Sequence, residues 1–519
     1  MKKILLLIIL LIITCVIQSQ TIRFNRMYHV ANPNSGVGTR FNQIVLQNNK
    51  YITFGHYDFR SPGSSHEYTC TVASKHDSLG NLISWIPYID TAFNTGLTGW
   101  SSDVKTVDGG YIVSGFSCEN ISPYTYYGFL MKLDSNLNMQ WQRHYIDTAI
   151  GSAWMYPDYG FQALKVTPDK GYIVVGIRYK NGGNSCGLAI KYDSLGNQQW
   201  LKTYNLNYYW SAYNSVIILP DGYVFAGGIC VTSDFNTNDD IITKVDSAGN
   251  VIWQKTLGGI KGGEWIGLQN HPDNSIMALM TKCDSAYTDQ YGDYYNFLKL
   301  QFYKLSSATG DTTWSSSYGP TLPNNISYSF RVLPDGSALA SGSYNYLEIP
   351  WLLHLNIEGT VDWYKEYNMA KPYNTNHFSA TPFDIQQTLD NGFVVCGQIV
   401  NTDTINGNCG WILKIDEHGC LLPNCDTITG ISSYINIASS LEIFPNPAST
   451  SVTVKYFSDI EQGKLEIYNT MGIKAMQIQL PKGQNTYNFS VSQLPKGFYK
   501  VILKDKSYIR GQVPLVIVN

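Results

Sequence analysis

The chain is predicted to be all-β: a seven-bladed β-propeller closed by an N-terminal strand, then a small C-terminal Ig-like β-sandwich. Three observations predict it. A unit of turn, apolar strand, second apolar strand and second turn recurs seven times at a spacing of about 50–60 residues, with a glycine after the first strand in six copies and a tryptophan after the second turn in six. The seventh copy lacks its last strand, and Phe24-Asn25-Arg26-Met27-Tyr28 near the start matches the missing piece. Beyond about residue 440 the repeat gives way to short strand-like runs separated by Gly and Pro turns.

The first residues read as an export signal. Met1-Lys2-Lys3 precedes an apolar run from Ile4 to Ile17, and Gln18-Ser19-Gln20 ends it with polar residues. The run is shorter than the ~20 residues a membrane span needs. A signal peptide over 1–19 is expected, with lipoprotein processing at Cys15 as the alternative. No other segment is apolar enough for a transmembrane anchor.

The first turn of each unit is built from Asn48-Asn49, Asp108-Gly109-Gly110, Pro168-Asp169-Lys170-Gly171, Pro220-Asp221-Gly222, Pro272-Asp273-Asn274, Pro334-Asp335-Gly336 and Asp390-Asn391-Gly392. These residue types tolerate the left-handed backbone of a tight hairpin. The second turn is DSLGN (77–81), DSNLN (134–138), DSLGN (193–197), DSAGN (246–250), SSATGD (306–311), NIEGT (356–360) and DEHGC (416–420). Trp85, Trp141, Trp200, Trp253, Trp314 and Trp363 follow six of these turns and read as packing between neighbouring sheets.

Composition narrows the function. Charged residues make up 14% of the chain and the net charge is −3 with no basic block, which argues against nucleic acid. The chain has ten cysteines, and Cys15 lies in the signal. Cys420 and Cys425 flank a short Pro-containing loop and form a disulfide candidate, with two free thiols as the alternative.

Strand alternation puts the tight turns at one face and the long, irregular connections at the other. Those connections are rich in aromatics: Tyr124, Tyr126, Tyr127, Trp154, Tyr156, Tyr159, Tyr208, Tyr209, Trp210, Tyr291, Tyr294, Tyr295, Tyr344, Tyr346 and Tyr373. Rings interleaved with Asn and Asp suit a glycan or a protein partner, and they equally suit loops packed on themselves. Asp234, Asn236, Asn238 and Asp240 alternate as in a calcium loop, without the Gly and Glu of an EF-hand; a solvated hairpin loop is the alternative. There is no His-Glu-x-x-His and no Gly-x-Ser-x-Gly. Paired acids for glycoside cleavage could still assemble from separate units.

The D-x-x-G-N-x-x-W copies, with FYKLSSATGDTTW (302–314), resemble the quinoprotein-type propeller repeat and, more loosely, the sialidase Asp-box hairpin. The vicinal cysteine pair of the first is absent and no arginine triad of the second is identifiable, so neither activity carries over. DGGYIV (108–113) and KVDSAGNVIWQKTLGG (244–259) are closer to propeller repeats of exported Bacteroidetes proteins.

The tail is more specific. LEIFPNPAS (441–449), LEIYNTMG (465–472) and LPKGFYKVIL (494–503) together resemble the C-terminal sorting domain of the type IX secretion system, on the motif positions Pro445, Asn446, Pro447, Tyr468, Gly472, Leu494, Gly497 and Tyr499. The resemblance implies recognition by that machinery and its sortase, then release or attachment at the cell surface. The final VPLVIVN departs from the basic finish common in the family.

The domains expected are therefore a signal peptide (1–19), a propeller (20–425), a linker (426–440) and a sorting domain (441–519). The function expected is a secreted or surface-displayed, non-enzymatic glycan- or protein-binding module, with no cofactor unless calcium. The alternatives are a glycan hydrolase or lyase on the same scaffold, and a structural surface or matrix component.

Overall fold

A computed structural model describes residues 22–28, 38–60, 67–90, 92–98, 104–119, 126–145, 160–179, 184–205, 207–230, 238–257, 262–288, 294–323, 325–344, 349–367, 378–401, 408–421, 425, 441–456, 463–469, 474–505 and 508–518. Among them every regular element longer than a single turn is a strand. The chain divides into two compact units, with the break after Cys425.

Among the described residues the larger unit holds seven antiparallel sheets, and the fold is propeller-like. The first sheet runs Thr39–Gln47, Lys50–Arg60, Glu67–His76, Leu82–Tyr88, and the second Phe93–Leu97, Tyr111–Glu119, Tyr126–Leu133, Met139–Tyr145. The third is Phe161–Val166, Tyr172–Tyr179, Ser185–Tyr192, Gln198–Tyr204. The fourth divides its inner strand into Trp210–Ser211 and Ser215–Leu219 before Gly222–Cys230, Asn238–Val245 and Val251–Leu257. The fifth has Gly262–Asn270, Ile276–Thr288, Tyr294–Leu305 and Thr312–Pro323, and the sixth Ile326–Val332, Ala338–Tyr344, Ile349–Leu355 and Val361–Glu366.

The seventh sheet takes three strands from its own repeat, Phe378–Gln387, Phe393–Asn401 and Asn408–Ile415. Its fourth is Phe24–Tyr28, paired antiparallel from Phe24 opposite Lys414 to Tyr28 opposite Gly410. Arg23 secures this join with a 2.6 Å ion pair to the nearly buried Asp416.

Core clusters run from each sheet into the next. Phe54 and Val113 share one cluster, Leu130 and Val174 another, Ile173 and Phe225 a third, Ala226 and Ala278 a fourth, Leu279 and Leu353 a fifth. Arg331 of the sixth sheet pairs with the buried Asp384 of the seventh at 2.8 Å, and Phe41 of the first packs with Ile412 of the seventh. Each sheet thus touches the next in order, and the seventh touches the first. The recurrent glycines in the second strands lie close against their own sheet: a Cβ on Gly55, Gly115 or Gly397 would come within 2.0 Å of a carbonyl oxygen on the first strand, and one on Gly227 would lie 1.9 Å from the Ala212 carbonyl.

The turn sequences follow from hydrogen bonding. Asp77 Oδ1 accepts the amides of Leu79 and Asn81 while Oδ2 accepts the Asn81 side chain, and Asp134, Asp193 and Asp246 repeat the pattern. The tryptophans sit where the repeat predicts packing. A Cβ on Gly196 would lie 2.9 Å from Trp141, on Gly249 3.2 Å from Trp200, on Gly310 2.8 Å from Trp253, on Gly359 2.9 Å from Trp314 and on Gly419 2.9 Å from Trp363. Each indole covers the second turn of the following sheet.

The smaller unit has two sheets around one core: Glu442–Phe444, Ser451–Lys455, Thr486–Ser490, and Lys474–Gln479, Gly463–Asn469, Gly497–Asp505, Tyr508–Ile517. Val452, Val454, Leu465, Ile467, Val501, Leu503 and Leu515, all buried, form that core.

Candidate functional site

Within each sheet of the larger unit, the two tight turns stand at one end and the long connections at the other. The two ends differ electrostatically. At the turn end a lysine near the close of the third strand reaches the aspartate of the first turn: Lys132 to Asp108 at 2.9 Å, Lys191 to Asp169 at 2.8 Å, Lys244 to Asp221 at 2.7 Å, Lys304 to Asp273 at 2.6 Å and Lys414 to Asp390 at 3.1 Å. Burial alone would push the Asp108 carboxyl up. The Thr106 hydroxyl, the Lys132 ammonium and the Gly110 amide outweigh it and hold the group at about 2. Asp169 and Asp390 are held down by the same balance, with burial again opposing. These pairs tie the first turn to the third strand, a structural role.

Carboxylates at the other end lean the opposite way. Asp240, at the start of the fourth sheet's third strand, is fully buried, and neither of its carboxyl oxygens has a hydrogen-bond partner among the described residues. Burial pushes its pKa well up, reinforced by the adjacent Asp239, whose own carboxyl burial also raises. Glu366, at the end of the sixth sheet's outer strand, is raised by burial despite hydrogen bonds from Tyr344 and Tyr364. Raised carboxylates in this setting are the groups from which acid catalysis can be built.

The second sheet shows what the loop end offers a ligand. Phe93 stacks on His144 with centroids 4.2 Å apart and meets Tyr127 edge-on at 6.0 Å. The Tyr127 hydroxyl donates to Glu119 at 3.0 Å, and His144 Nδ1 lies 2.8 Å from the Ser117 hydroxyl. Burial holds the His144 imidazole neutral to lower pH than usual, against a weaker pull from Asp90. A half-buried group of flat rings with one carboxylate can stack on an apolar face and bond to hydroxyls or amides.

The structure places the remaining sequence-predicted residues as follows. Tyr208 packs against the core shared by the third and fourth sheets; the Tyr209 amide and carbonyl bond to Cys230 and Ser185; Trp210 pairs with Cys230. Tyr344 is buried in the core between the fifth and sixth sheets. Tyr126, Tyr294 and Tyr295 are paired strand residues opposite Cys118, Thr288 and Tyr287. Asn238 and Asp240 are also strand residues, opposite Cys230 and Gly228. Tyr124, Trp154, Tyr156, Tyr159, Tyr291, Tyr346, Tyr373, Asp234, Asn236 and Gly472 lie outside the described residues. No cluster of three or more His, Cys, Asp or Glu suited to a metal occurs among the described residues.

Cys420 and Cys425 are bonded, with Cα atoms 5.7 Å apart. In the smaller unit the motif residues have structural work. Asn446 accepts the Val516 amide at 2.8 Å, fastening the Pro445–Pro447 segment to the last strand. Leu494 is buried, the Tyr499 hydroxyl donates to the Pro495 carbonyl at 2.7 Å, and the Tyr468 hydroxyl donates to Glu466 at 2.8 Å.

Sequence reasoning missed Phe93 and Glu119, which belong to no repeated motif, and His144 and Glu366, which share the variable fourth position of the outer-strand copies WQRHY (141–145) and WYKEY (363–367). It also missed the lysine pairs, although a lysine recurring in an apolar strand just before D-S-x-G-N was a legible signal.

Residues 442–517 match the family model described as a secretion system C-terminal sorting domain. That tail marks the chain for type IX export, to secretion or attachment at the cell surface. No curated protein matches the chain. Among solved structures, Drosophila Semaphorin 2a is similar at 9% identity over 95% of this chain and 99% of its own, with a TM-score of 0.45. A GH32 beta-fructofuranosidase of Bombyx mori is similar at 11% identity over 75% and 90%, with a TM-score of 0.29. A Synechocystis apocarotenoid oxygenase is similar at 11% over 77% and 95%, with a TM-score of 0.38. No helix among the described residues is long and apolar enough to cross a membrane.

Proposed function

We propose that residues 20–425 form a seven-bladed propeller, closed by its N-terminal strand, that acts outside the cell as a non-enzymatic binding module for a glycan or protein. Cyclic packing of the seven sheets supports the blade count. The group Phe93, Tyr127, His144 and Glu119 at the loop end carries the binding reading.

Residues 1–19 would serve as the signal peptide, 426–440 as the linker, and 441–519 as an Ig-like β-sandwich read by the type IX machinery and its sortase. The matched segment 442–517 supports this part. Repeats of this type in exported Bacteroidetes proteins agree with it. Calcium held by Asp234, Asn236, Asn238 and Asp240 belongs to the same reading, supported by the desolvated Asp240 carboxylate. A calcium-dependent rise in melting temperature, lost in Asp240→Asn, tests it.

Glycan-array binding by the mature chain is the main test. Retention of a glycan without product release supports the module, and binding should fall in Tyr127→Ala. One observation favours an enzyme: the buried Asp240 and the half-buried Glu366 are carboxylates with raised proton affinity at the loop end. Release of reducing ends, lost in Glu366→Gln, would establish that reading instead. Concentration-dependent self-association without glycan binding would favour a structural surface component.

A further inference from the structure

The smaller unit carries nine Lys and Arg against five Asp and Glu between residues 441 and 519, in a chain whose net charge is −3. Much of that excess is gathered on one sheet face. In the strand Gly463–Asn469, Leu465 and Ile467 enter the core, so Lys464, Glu466 and Tyr468 share the outer side. In Gly497–Asp505, Val501 and Leu503 enter the core and Lys500 and Lys504 face outward. The register sets Lys464 directly opposite Lys504 and Tyr468 opposite both Lys500 and Lys474.

Like charges directly opposite each other destabilise a sheet. Here a single carboxylate makes the arrangement tolerable. Glu466 takes Lys504 at 2.7 Å, Lys474 at 3.5 Å and Lys464 at 3.9 Å, and accepts the Tyr468 hydroxyl at 2.8 Å. Its side chain is only 5% exposed, whereas those of Lys464, Lys474 and Lys504 are 33%, 45% and 23% exposed. Burial would raise the Glu466 carboxyl; Lys504 and Tyr468 override it and hold it at about 2. One anion therefore serves three ammonium groups, with a fourth, Lys500, beside them. The surplus positive charge lies on half-buried side chains whose stems are packed against the sheet.

We infer that the outer face formed by Lys464, Lys474, Lys500 and Lys504 is the surface by which the sorting domain docks on a carboxylate-rich patch of a folded protein in the export machinery. This rests on the sorting reading above. Short reach and packed stems suit a flat, rigid partner, and carboxylate is the group these lysines already hold. Glu466 keeps the face from repelling itself before the partner arrives.

The test uses the full chain in a bacterium that carries type IX secretion. The variant K464Q/K474Q/K504Q should lower the secreted fraction at least about fivefold, and K464R/K474R/K504R should restore it, because charge rather than lysine itself is required. A 441–519 truncation separates the two readings. If the truncation is secreted normally, the sorting reading fails. If it is trapped while the Gln triple variant is secreted within about twofold of wild type, the docking face fails. Loss of fold is checked by melting temperature, and Lys455, Lys482 and Lys496 changed together to Gln should leave secretion unchanged. Purified mature chain should also bind poly-L-glutamate in a salt-sensitive manner, about tenfold more weakly as the Gln triple variant. Tighter binding to lipopolysaccharide vesicles than to poly-L-glutamate, through the same lysines, would overturn the protein partner in favour of an anionic lipid.

Discussion

Phe24 lies against Gly80: a Cβ at that glycine would sit 2.5 Å from the Phe24 ring. The contact repeats, with phenylalanine in place of tryptophan, the packing of Trp200 on Gly249 and of Trp363 on Gly419. Tyr28, four residues on, donates its hydroxyl to the Gly80 carbonyl, as Tyr204 does to Gly249 and Tyr367 to Gly419. The N-terminal strand thus makes the same two contacts with the next sheet as the outer strands Gln198–Tyr204 and Val361–Glu366 with the adjoining Tyr367. Phe24→Ala should cost about 3–5 kcal/mol in denaturant unfolding. Phe24→Trp should be tolerated, and a loss as large as that of alanine would show that the site is not equivalent to the others.

Gly249 has φ of +78°, and a Cβ there would lie 3.1 Å from the Lys202 stem and 3.2 Å from the Trp200 ring, closer than either can accept without shifting. Gly249→Ala should destabilise by about 1–3 kcal/mol through backbone strain and the clash together. Gly109 also has a positive φ but nothing within 4 Å of a Cβ, so alanine there reads the backbone term alone. Paired urea melts of the two variants separate the terms.

Acid should loosen the turn end first. A carboxyl whose pKa is lower folded than unfolded stabilises above its unfolded value and loses that contribution as pH falls through the folded one. For Asp108, held at about 2, the window runs from about pH 5 down to about pH 2. Asp108→Asn should flatten that part of the stability–pH profile. An unchanged acid limb would mean that the Lys132 pair is energetically idle.

Asp240 should behave in the opposite sense. Its raised pKa means that the folded state holds a proton the unfolded state gives up, so stability falls as pH rises above the unfolded carboxyl value. In calcium-free buffer, Asp240→Asn should raise the melting temperature at pH 8 and leave it nearly unchanged at pH 4. Equal effects at both values would rule out a buried, protonated acid.

The lysine is almost enclosed in the pairs of Lys132, Lys191, Lys244 and Lys414, with the Lys191 side chain 4% exposed while Asp169 remains 54% exposed. Asp169→Ala strands that ammonium and should destabilise by about 3 kcal/mol. Lys191→Met removes the charge and keeps the stem, so it should cost less. Chemical denaturation of the two single variants and the double variant gives the coupling.

Much of the architecture was legible because hairpin chemistry is local. Asp77 bonding to Leu79 and Asn81 needs nothing beyond five residues, so the turn can be read wherever D-S-L-G-N is written. The N-terminal strand was legible because Phe24–Tyr28 copies a pattern found elsewhere in the chain. The loop end was not, for the converse reason. Phe93, Tyr127 and His144 come together from three strands; no repeat marks the first two, and His144 sits at a position of the outer-strand copies that is Thr203 in one and Glu366 in another. Aromatic content alone did not separate Tyr344, which is buried in the core, from Tyr127, which is half-buried.

The pairing of Phe24 with Lys414 also bears on the order of events in the cell. The strand made first is placed last, because its partner is synthesised 390 residues later. A ribosome delivering about 5–20 residues per second leaves that segment waiting for tens of seconds. Until Asn408–Ile415 arrives, the larger unit has an open sheet edge, and the early segment has nowhere to dock. The chain is thus unable to lock before nearly all of this unit has been delivered, so its last strands to be made set the moment at which its first one settles.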